Sequence, residues 1–218
     1  MREHFIKQLE ELNKSLHQMG IMIQEAIHSA VEALKTLDKD KAREIIDADY
    51  RIDHKEKEIE SASLHLLLQQ TPVAGDLRQV SAALKMVTDM ERIGDHAADI
   101  SEIVLFLDRI EYKVILDLLL KMADTTSKML ANSINAYLSE DLQLAKEVAG
   151  MDDIVDLLFL EVKQAIANEV VSNKEKGEQV LDLLMIAKYF ERIGDHAENI
   201  SEWVVFSITG LHKNERVI

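Results

Sequence analysis

Apolar residues recur along this chain at alternating steps of three and four, the spacing that lines one face of an α-helix. The opening stretch is the clearest case. Phe5, Leu9, Leu12, Leu16, Met19, Ile23, Ala26, Ala30, Ala33 and Leu37 follow one another without a break. That seam predicts a helix about 50 Å long at roughly 1.5 Å per residue. A short turn at Asp38-Lys39-Asp40 separates it from a second helix, with Ile45, Ile52, Ile59, Ala62 and Leu66 on its inner face. Gln69-Gln70-Thr71-Pro72 ends that helix. Thr71 suits an N-cap, and Pro72 the first turn of a third helix running to about Arg109. The plan then repeats. A fourth helix carries Ile115, Leu118, Met122, Thr125, Met129, Asn132 and Ala136; a fifth carries Leu144, Val148, Val155, Phe159, Val162 and Ile166. Ser172, with Glu175 three residues on, reads as a capping box for a sixth helix. That helix ends near Thr209-Gly210, where glycine suits the position past a helix C-terminus. The seams leave no room for alternating strands, so an all-α fold without a β-sheet is expected.

One twelve-residue phrase occurs twice. Glu91-Arg92-Ile93-Gly94-Asp95-His96-Ala97-Ala98-Asp99-Ile100-Ser101-Glu102 returns as Glu191-Arg192-Ile193-Gly194-Asp195-His196-Ala197-Glu198-Asn199-Ile200-Ser201-Glu202. Residues 31–53 also align without gaps on 134–156, matching Asp49 to Asp152 and Asp53 to Asp156. The fold expected is therefore two tandem three-helix bundles related by internal duplication, with boundaries at 1–109 and 110–218.

Within the phrase, Glu91, Asp95 and Asp99 lie at i, i+4 and i+8, one stripe of a helix. Leu77, Val80, Leu84 and Val87 lead into Glu91 at seam spacing, so the stripe is expected to face inward. Stacked acids repel, and a carboxylate facing a core is costly unless a cation meets it. Gly94 and Gly194 add about 1 kcal/mol each of lost helix propensity. Two explanations stand. Asp49, Asp53, Glu91, Asp95 and Asp99 in one half, and Asp152, Asp156, Glu191, Asp195 and Asn199 in the other, form all-oxygen sets suited to hard or borderline metal ions. Alternatively, the acids pair with Lys or Arg at a polar helix interface, Arg92 and Arg192 being placed to reach Asp95 and Asp195. His96 and His196 lie about 100° round the helix from the aspartates and read as rim histidines rather than ligands.

Composition narrows the function. The chain has 218 residues, a net charge of −15, one proline and no cysteine. That balance argues against direct nucleic-acid binding, which needs basic surfaces, and suits cations and basic partners. Without cysteine there are no thiolate metal sites, and a reducing compartment fits. The N-terminus lacks the apolar stretch of a signal peptide, and no apolar run reaches membrane-spanning length; a cytoplasmic protein without membrane insertion is expected. A ferritin-like di-iron enzyme needs two Glu-x-x-His motifs, and only Glu25-Ala26-Ile27-His28 is present. No nucleophile-elbow or phosphate-loop pattern occurs, so an enzyme is not expected.

The Gln69-Gln70-Thr71-Pro72-Val73-Ala74-Gly75-Asp76-Leu77-Arg78 turn and both Glu-Arg-Ile-Gly-Asp-His-Ala phrases resemble the PhoU family of bacterial phosphate homeostasis, over essentially the whole chain. The resemblance implies two similar three-helix bundles with metal motifs at Asp49/Asp53 with Glu91/Asp95, and at Asp152/Asp156 with Glu191/Asp195. The implied cofactor is a divalent or trivalent metal ion: iron, zinc, manganese or magnesium. The implied role is a non-enzymatic regulator that damps phosphate uptake and the phosphate-starvation response. The implied partners are the ATPase subunit of the phosphate ABC transporter, a phosphate-sensing histidine kinase and a second copy in a homodimer. A carboxylate-bridged metal-storage or redox protein is the alternative reading of the same acids. Asn199 stands where the first half has Asp99, so the first site is expected to bind cations more tightly.

Overall fold

Aspartate caps open the second helix of each half in the same way. Asp38 accepts hydrogen bonds from the backbone N–H groups of Asp40 and Lys41 at 3.1 and 3.0 Å. Asp141 accepts from Gln143 and Leu144 at 2.9 and 3.0 Å. Each cap satisfies helix-end donors that have no partner within the helix. The residue before each cap, Leu37 or Glu140, is left-handed with φ 54° and closes the preceding helix. The duplication thus extends to backbone conformation at its turns.

The computed structural model describes residues 2–69, 73–172, 177–213 and 215–216. Helix α1 spans Arg2–Thr36, α2 Lys39–Ala48, α3 Tyr50–Gln69 and α4 Ala74–Phe106. Helix α5 spans Lys113–Ser139, α6 Leu142–Ser172 and α7 Gly177–Thr209. The first bundle packs α1, α2, α3 and α4 together; the second packs α5, α6 and α7. The halves join mainly along α4 and α7, with α1 against α5 beside them. Leu16, Met19, Ile23, Met86, Met90 and Ile93 are fully buried in the first half, as are Met122, Met129, Phe190 and Ile193 in the second. Each such side chain contributes about 1.5–3 kcal/mol. Tyr137 is buried too, and its hydroxyl donates across the junction to the Gln79 carbonyl at 3.1 Å. No helix among the described residues is long and apolar enough to cross a membrane.

Four expectations change in detail. The second helix is interrupted at Asp49: its N–H turns to the Ile46 carbonyl at 3.4 Å, while the Ile52 N–H bonds to the Asp49 carbonyl at 2.8 Å. This is the i→i+3 pattern of a 3₁₀ turn within a continuing coil, and Asp49 keeps helical dihedrals. The third helix stops at Phe106, because the buried, extended Leu107 turns the chain away, so Arg109 lies beyond it. The proposed Thr71 cap and Pro72 lie outside the described residues; α4 begins at Ala74, where Asp76 accepts from the Val73 N–H at 3.3 Å. Ser172 is the last residue of α6 rather than a cap of α7, and Glu175 lies outside the described residues. A small sheet also exists. Strand β1 (Leu211–His212) pairs antiparallel with β2 (Glu215–Arg216), after Gly210 turns the chain with φ 79°. Stacking of His212 on Trp203, 4.0 Å between centroids, holds this hairpin against α7. Two-residue strands are too short to leave an alternating pattern in the sequence.

Candidate metal centre

The mid-helix glycines are explained by how closely the acid-bearing helices approach them. A Cβ at Gly94 would lie 2.9 and 3.0 Å from Ile52 carbons and 3.6 Å from Asp49 Oδ1. A Cβ at Gly194 would lie 2.9 Å from Asp152 Oδ1 and 3.4 Å from Val155. Gly194 therefore lets the Asp152 carboxylate settle against the backbone of its helix, whereas Gly94 admits Ile52 and so brings the helix carrying Asp53 close. In the first half Asp49 sits at the turn between α2 and α3, Asp53 comes from α3, and Glu91 and Asp95 come from α4. In the second, Asp152 and Asp156 come from α6, and Glu191 and Asp195 from α7. Carboxylate oxygens of Asp49, Asp53 and Asp95 lie within 4.8 Å of one another.

Electrostatics fit the residues to a cation. Burial, then Asp95, Asp53 and Asp99, push Asp49 up to about 6. Burial, then Asp95, push Glu91 up to about 7, with Arg92 acting in the opposite direction. Burial, then Glu198 and Asp195, push Asp152 up to about 7. Asp95 and Asp195 are raised as well, again chiefly by burial. Groups that resist ionising this strongly are short of positive charge, which a multivalent ion supplies. Basic partners meet the acids only in part. Arg92 bonds Asp95 at 3.0 Å and approaches Glu91 at 3.4 Å, and Lys188 pairs with Glu191. Among the described residues, Asp49, Asp53, Asp152 and Asp156 take no ion pair from Lys or Arg.

The acids lie at the edge of each bundle rather than in its core. Met86, Met90, Ile93, Ala97 and Ile100 form the buried stripe of α4, whereas Glu91, Asp95 and Asp99 are half-buried. In the second half Asp156 and Asp195 are exposed. A helix repeating every 3.6 residues drifts about 20° per heptad from a 3.5-residue seam, and this carries the acids off the core.

Asp99 and Asn199 take part in a different arrangement. Asp99 Oδ2 lies 3.0 Å from His96 Nδ1, and Asn199 Nδ2 reaches Asp89 Oδ1 at 3.5 Å. His196 Nδ1 donates to the same Asp89 oxygen at 2.7 Å, across the junction of α4 and α7. The two imidazoles lie 5.6 Å apart, and His96 packs 5.4 Å from the Tyr189 ring. Tyr189 and Asp89 occupy matching positions relative to the phrase, so each histidine faces the corresponding residue of the opposite helix. His96 is buried and its pKa is lowered, mainly by desolvation. These are junction residues, not rim histidines.

One participant escaped the sequence reading. Glu198 replaces Ala98 and is the strongest charged influence on Asp152. Its own carboxyl is raised by burial and by Glu202. The signal was present: Glu191, Asp195, Glu198 and Glu202 follow at i, i+4, i+7 and i+11.

Both halves of the chain are similar to known proteins. The PhoU domain model matches residues 16–104 and again 119–204. A protein of Clostridium acetobutylicum described as a phosphate-specific transport system accessory protein PhoU homolog is 37% identical, over 96% of each chain. A similarly described homolog of Thermotoga maritima is 30% identical over 97% of this chain and 92% of its own. The crystal structure of PhoU from Pseudomonas aeruginosa matches with a TM-score of 0.90 at 28% identity, covering 95% of this chain and 100% of that one. The phosphate transport system regulatory protein PhoU from Streptococcus pneumoniae matches with a TM-score of 0.88 at 29% identity, covering 95% of this chain and 98% of that one.

Proposed function

The chain belongs to the PhoU family, and we propose that it is an accessory protein of a phosphate-specific transport system that restrains phosphate uptake. The observation that carries this reading is the match along nearly the whole chain, in both halves, to proteins so described. The work is regulatory rather than catalytic: the chain senses or transmits a state to the transporter's ATPase subunit and to a phosphate-sensing histidine kinase. The halves 1–109 and 110–218 act as two related units sharing the α4–α7 junction.

In the same reading Asp49, Asp53, Glu91 and Asp95 hold cations in the first half. Asp152, Asp156, Glu191 and Asp195, with Glu198 nearby, do so in the second. Iron, zinc, manganese or magnesium bound there supplies concentrated positive charge that locks the acid-bearing helices together. The protein's own contribution is closeness: glycine at 94 admits Ile52 and glycine at 194 admits the Asp152 carboxylate, and partial burial keeps water from screening the acids.

The test is phosphate uptake in a bacterial host whose own family member is deleted. Expression of this chain is expected to lower radiolabelled phosphate uptake several-fold in phosphate-rich medium. Uptake that stays at the deletion level sinks the accessory-protein reading. Anomalous scattering at metal absorption edges tests the cation sites separately.

A further inference from the structure

At matched positions on their outer helices the two halves differ. Helix α6 exposes Ile154, Leu157 and Leu160 at steps of three residues. Helix α7 exposes Leu181 and Met185, two turns and one turn before Lys188. Lys188 lies over the Phe159 ring of α6, so the two sets adjoin. All five side chains are between 44 and 61% exposed. Apolar residues grouped in this way mark an interaction surface, whereas scattered ones mean little.

The duplication supplies an internal control. With the 31–53 and 134–156 alignment continued along the same helix, Ile154, Leu157 and Leu160 replace Arg51, His54 and Lys57. The inward positions keep register, since Ile52 and Val155 are buried, as are Ile59 and Val162. On the other helix Leu181 and Met185 replace Ser81 and Lys85. The fold accepts polar, mostly basic residues at these places, so bundle packing does not require the ridge.

Charge indicates what covers it. Exposed acids Asp153, Asp156 and Glu161 border the ridge on α6. The lysines at its edge, Lys163 and Lys188, are drawn over Phe159, 4.9 and 5.5 Å from the ring centre. Two copies of this chain, each with a net charge of −15, repel at long range. An apolar strip with acidic borders fits a helix whose apolar face is flanked by Arg and Lys. We propose that the α6–α7 face of the second half docks a basic amphipathic helix of a partner protein. The proposal deepens the accessory-protein reading by naming the face and the partner's chemistry, and needs no bound metal.

The test uses the full chain and a labelled peptide of about 18 residues, about five helical turns, built from Leu, Lys and Arg at amphipathic spacing. A scrambled peptide of the same composition is the control. Leu157→Asp combined with Leu160→Asp is expected to weaken binding about tenfold. Those changes add acid, so purely electrostatic attraction would strengthen instead. His54→Ala with Lys57→Ala, at the matching first-half positions, should leave binding unchanged. Equal binding of the scrambled peptide overturns the proposal. A wild-type dimer split by the α6 variant overturns it in favour of a second copy. Lipid-vesicle binding lost in that variant, without peptide binding, overturns it in favour of a membrane. In the uptake assay, an α6 variant that restrains phosphate as well as wild type overturns the ridge and keeps the accessory-protein reading. Peptide binding through the ridge with no effect of wild type on uptake does the reverse.

Discussion

In the first half the helix that brings Asp49 to the acid site is interrupted at that residue, whereas in the second α6 runs unbroken through Asp152. The interruption goes with convergence: oxygens of Asp49, Asp53 and Asp95 share one small space. The unbroken helix presses Asp152 more closely on Gly194 and leaves Asp156 and Asp195 exposed. Charge is also distributed differently. Asp99 of the first phrase becomes Asn199, while Ala98 becomes Glu198, beside Asp152. The duplication has kept the crowding of carboxylates and the glycine beneath them, but not the place of each acid. Crowding is therefore the property that the two halves share. The count of acids at i+4 steps is a poor guide to it.

The largest expected effect is on metal-linked stability. A cation present at a hundred times its dissociation constant adds about 2.7 kcal/mol for each site it fills. Asp53→Asn with Asp95→Asn should remove most of the stabilisation that Mn²⁺ gives to chelator-treated protein. Asp156→Asn with Asp195→Asn should remove less, because those carboxylates are more exposed. Thermal unfolding with and without the ion measures both. Equal losses break the distinction between converged and open sites.

A pH series sharpens the same distinction. In the metal-free fold Asp49 titrates at about 6, and Glu91 and Asp152 at about 7. The unfolded chain's carboxyls titrate near about 4. Between those values the folded state holds more protons, so stability falls as pH rises. The penalty is absent below about pH 4 and complete above about pH 7. These groups are partly exposed, so water reduces the total to on the order of 1–2 kcal/mol. Urea unfolding of the chelated protein should show the decline. Asp49→Asn should flatten its lower part and Asp152→Asn its upper part. Cations must displace the same protons, so their affinity should rise across this window.

Much of this organisation was legible. The three-and-four seams gave the helices, and the repeated phrase, with Asp49 and Asp152 in register, gave the two halves. The interruption at Asp49 carries no signal, since no glycine or proline is there and the residue keeps helical dihedrals. The acids were expected inward because Leu77, Val80, Leu84 and Val87 point to Glu91 by spacing alone; the core of α4 drifts instead to Met90, Ile93 and Ala97. The junction histidines could not be read from either half, because His196 finds its carboxylate on the other. Gly94 and Gly194 stood out as a cost without a cause. Only the approach of Ile52 and Asp152 supplies it.

Those glycines make the next comparison. Alanine adds about 1 kcal/mol of helix propensity but forces a contact that costs about 1–3 kcal/mol when the neighbour is packed. At position 94 the neighbour is Ile52, fully engaged in the core, so Gly94→Ala should be destabilising by about 1 kcal/mol. At position 194 it is the end of the Asp152 side chain, which can swing away. Gly194→Ala should leave stability near wild type while weakening cation binding in the second half. Urea unfolding together with calorimetric titration separates the two outcomes. A loss of stability at 194 as large as at 94 shows that Asp152 is held as rigidly as Ile52.

The smallest effect is the most pointed. The Asp99 and Asn199 mismatch implies a tighter first site only if Asp99 is a ligand. The structure gives Asp99 a partner of its own, His96 Nδ1 at 3.0 Å, and gives the second half Glu198 in compensation. Asp99→Asn should therefore leave the cation isotherm close to wild type. Its effect should appear at the junction. Asp99 opposes the desolvation that lowers the His96 pKa, so removing its charge should lower that pKa further, visible in an imidazole proton titration. Loss of the charge-assisted hydrogen bond should cost about 0.5–1.5 kcal/mol of folding stability. A weakened isotherm with an unchanged His96 titration points the other way. Asp99 then turns from His96 to the metal when the site is loaded, and its charge adds to the advantage of the first half.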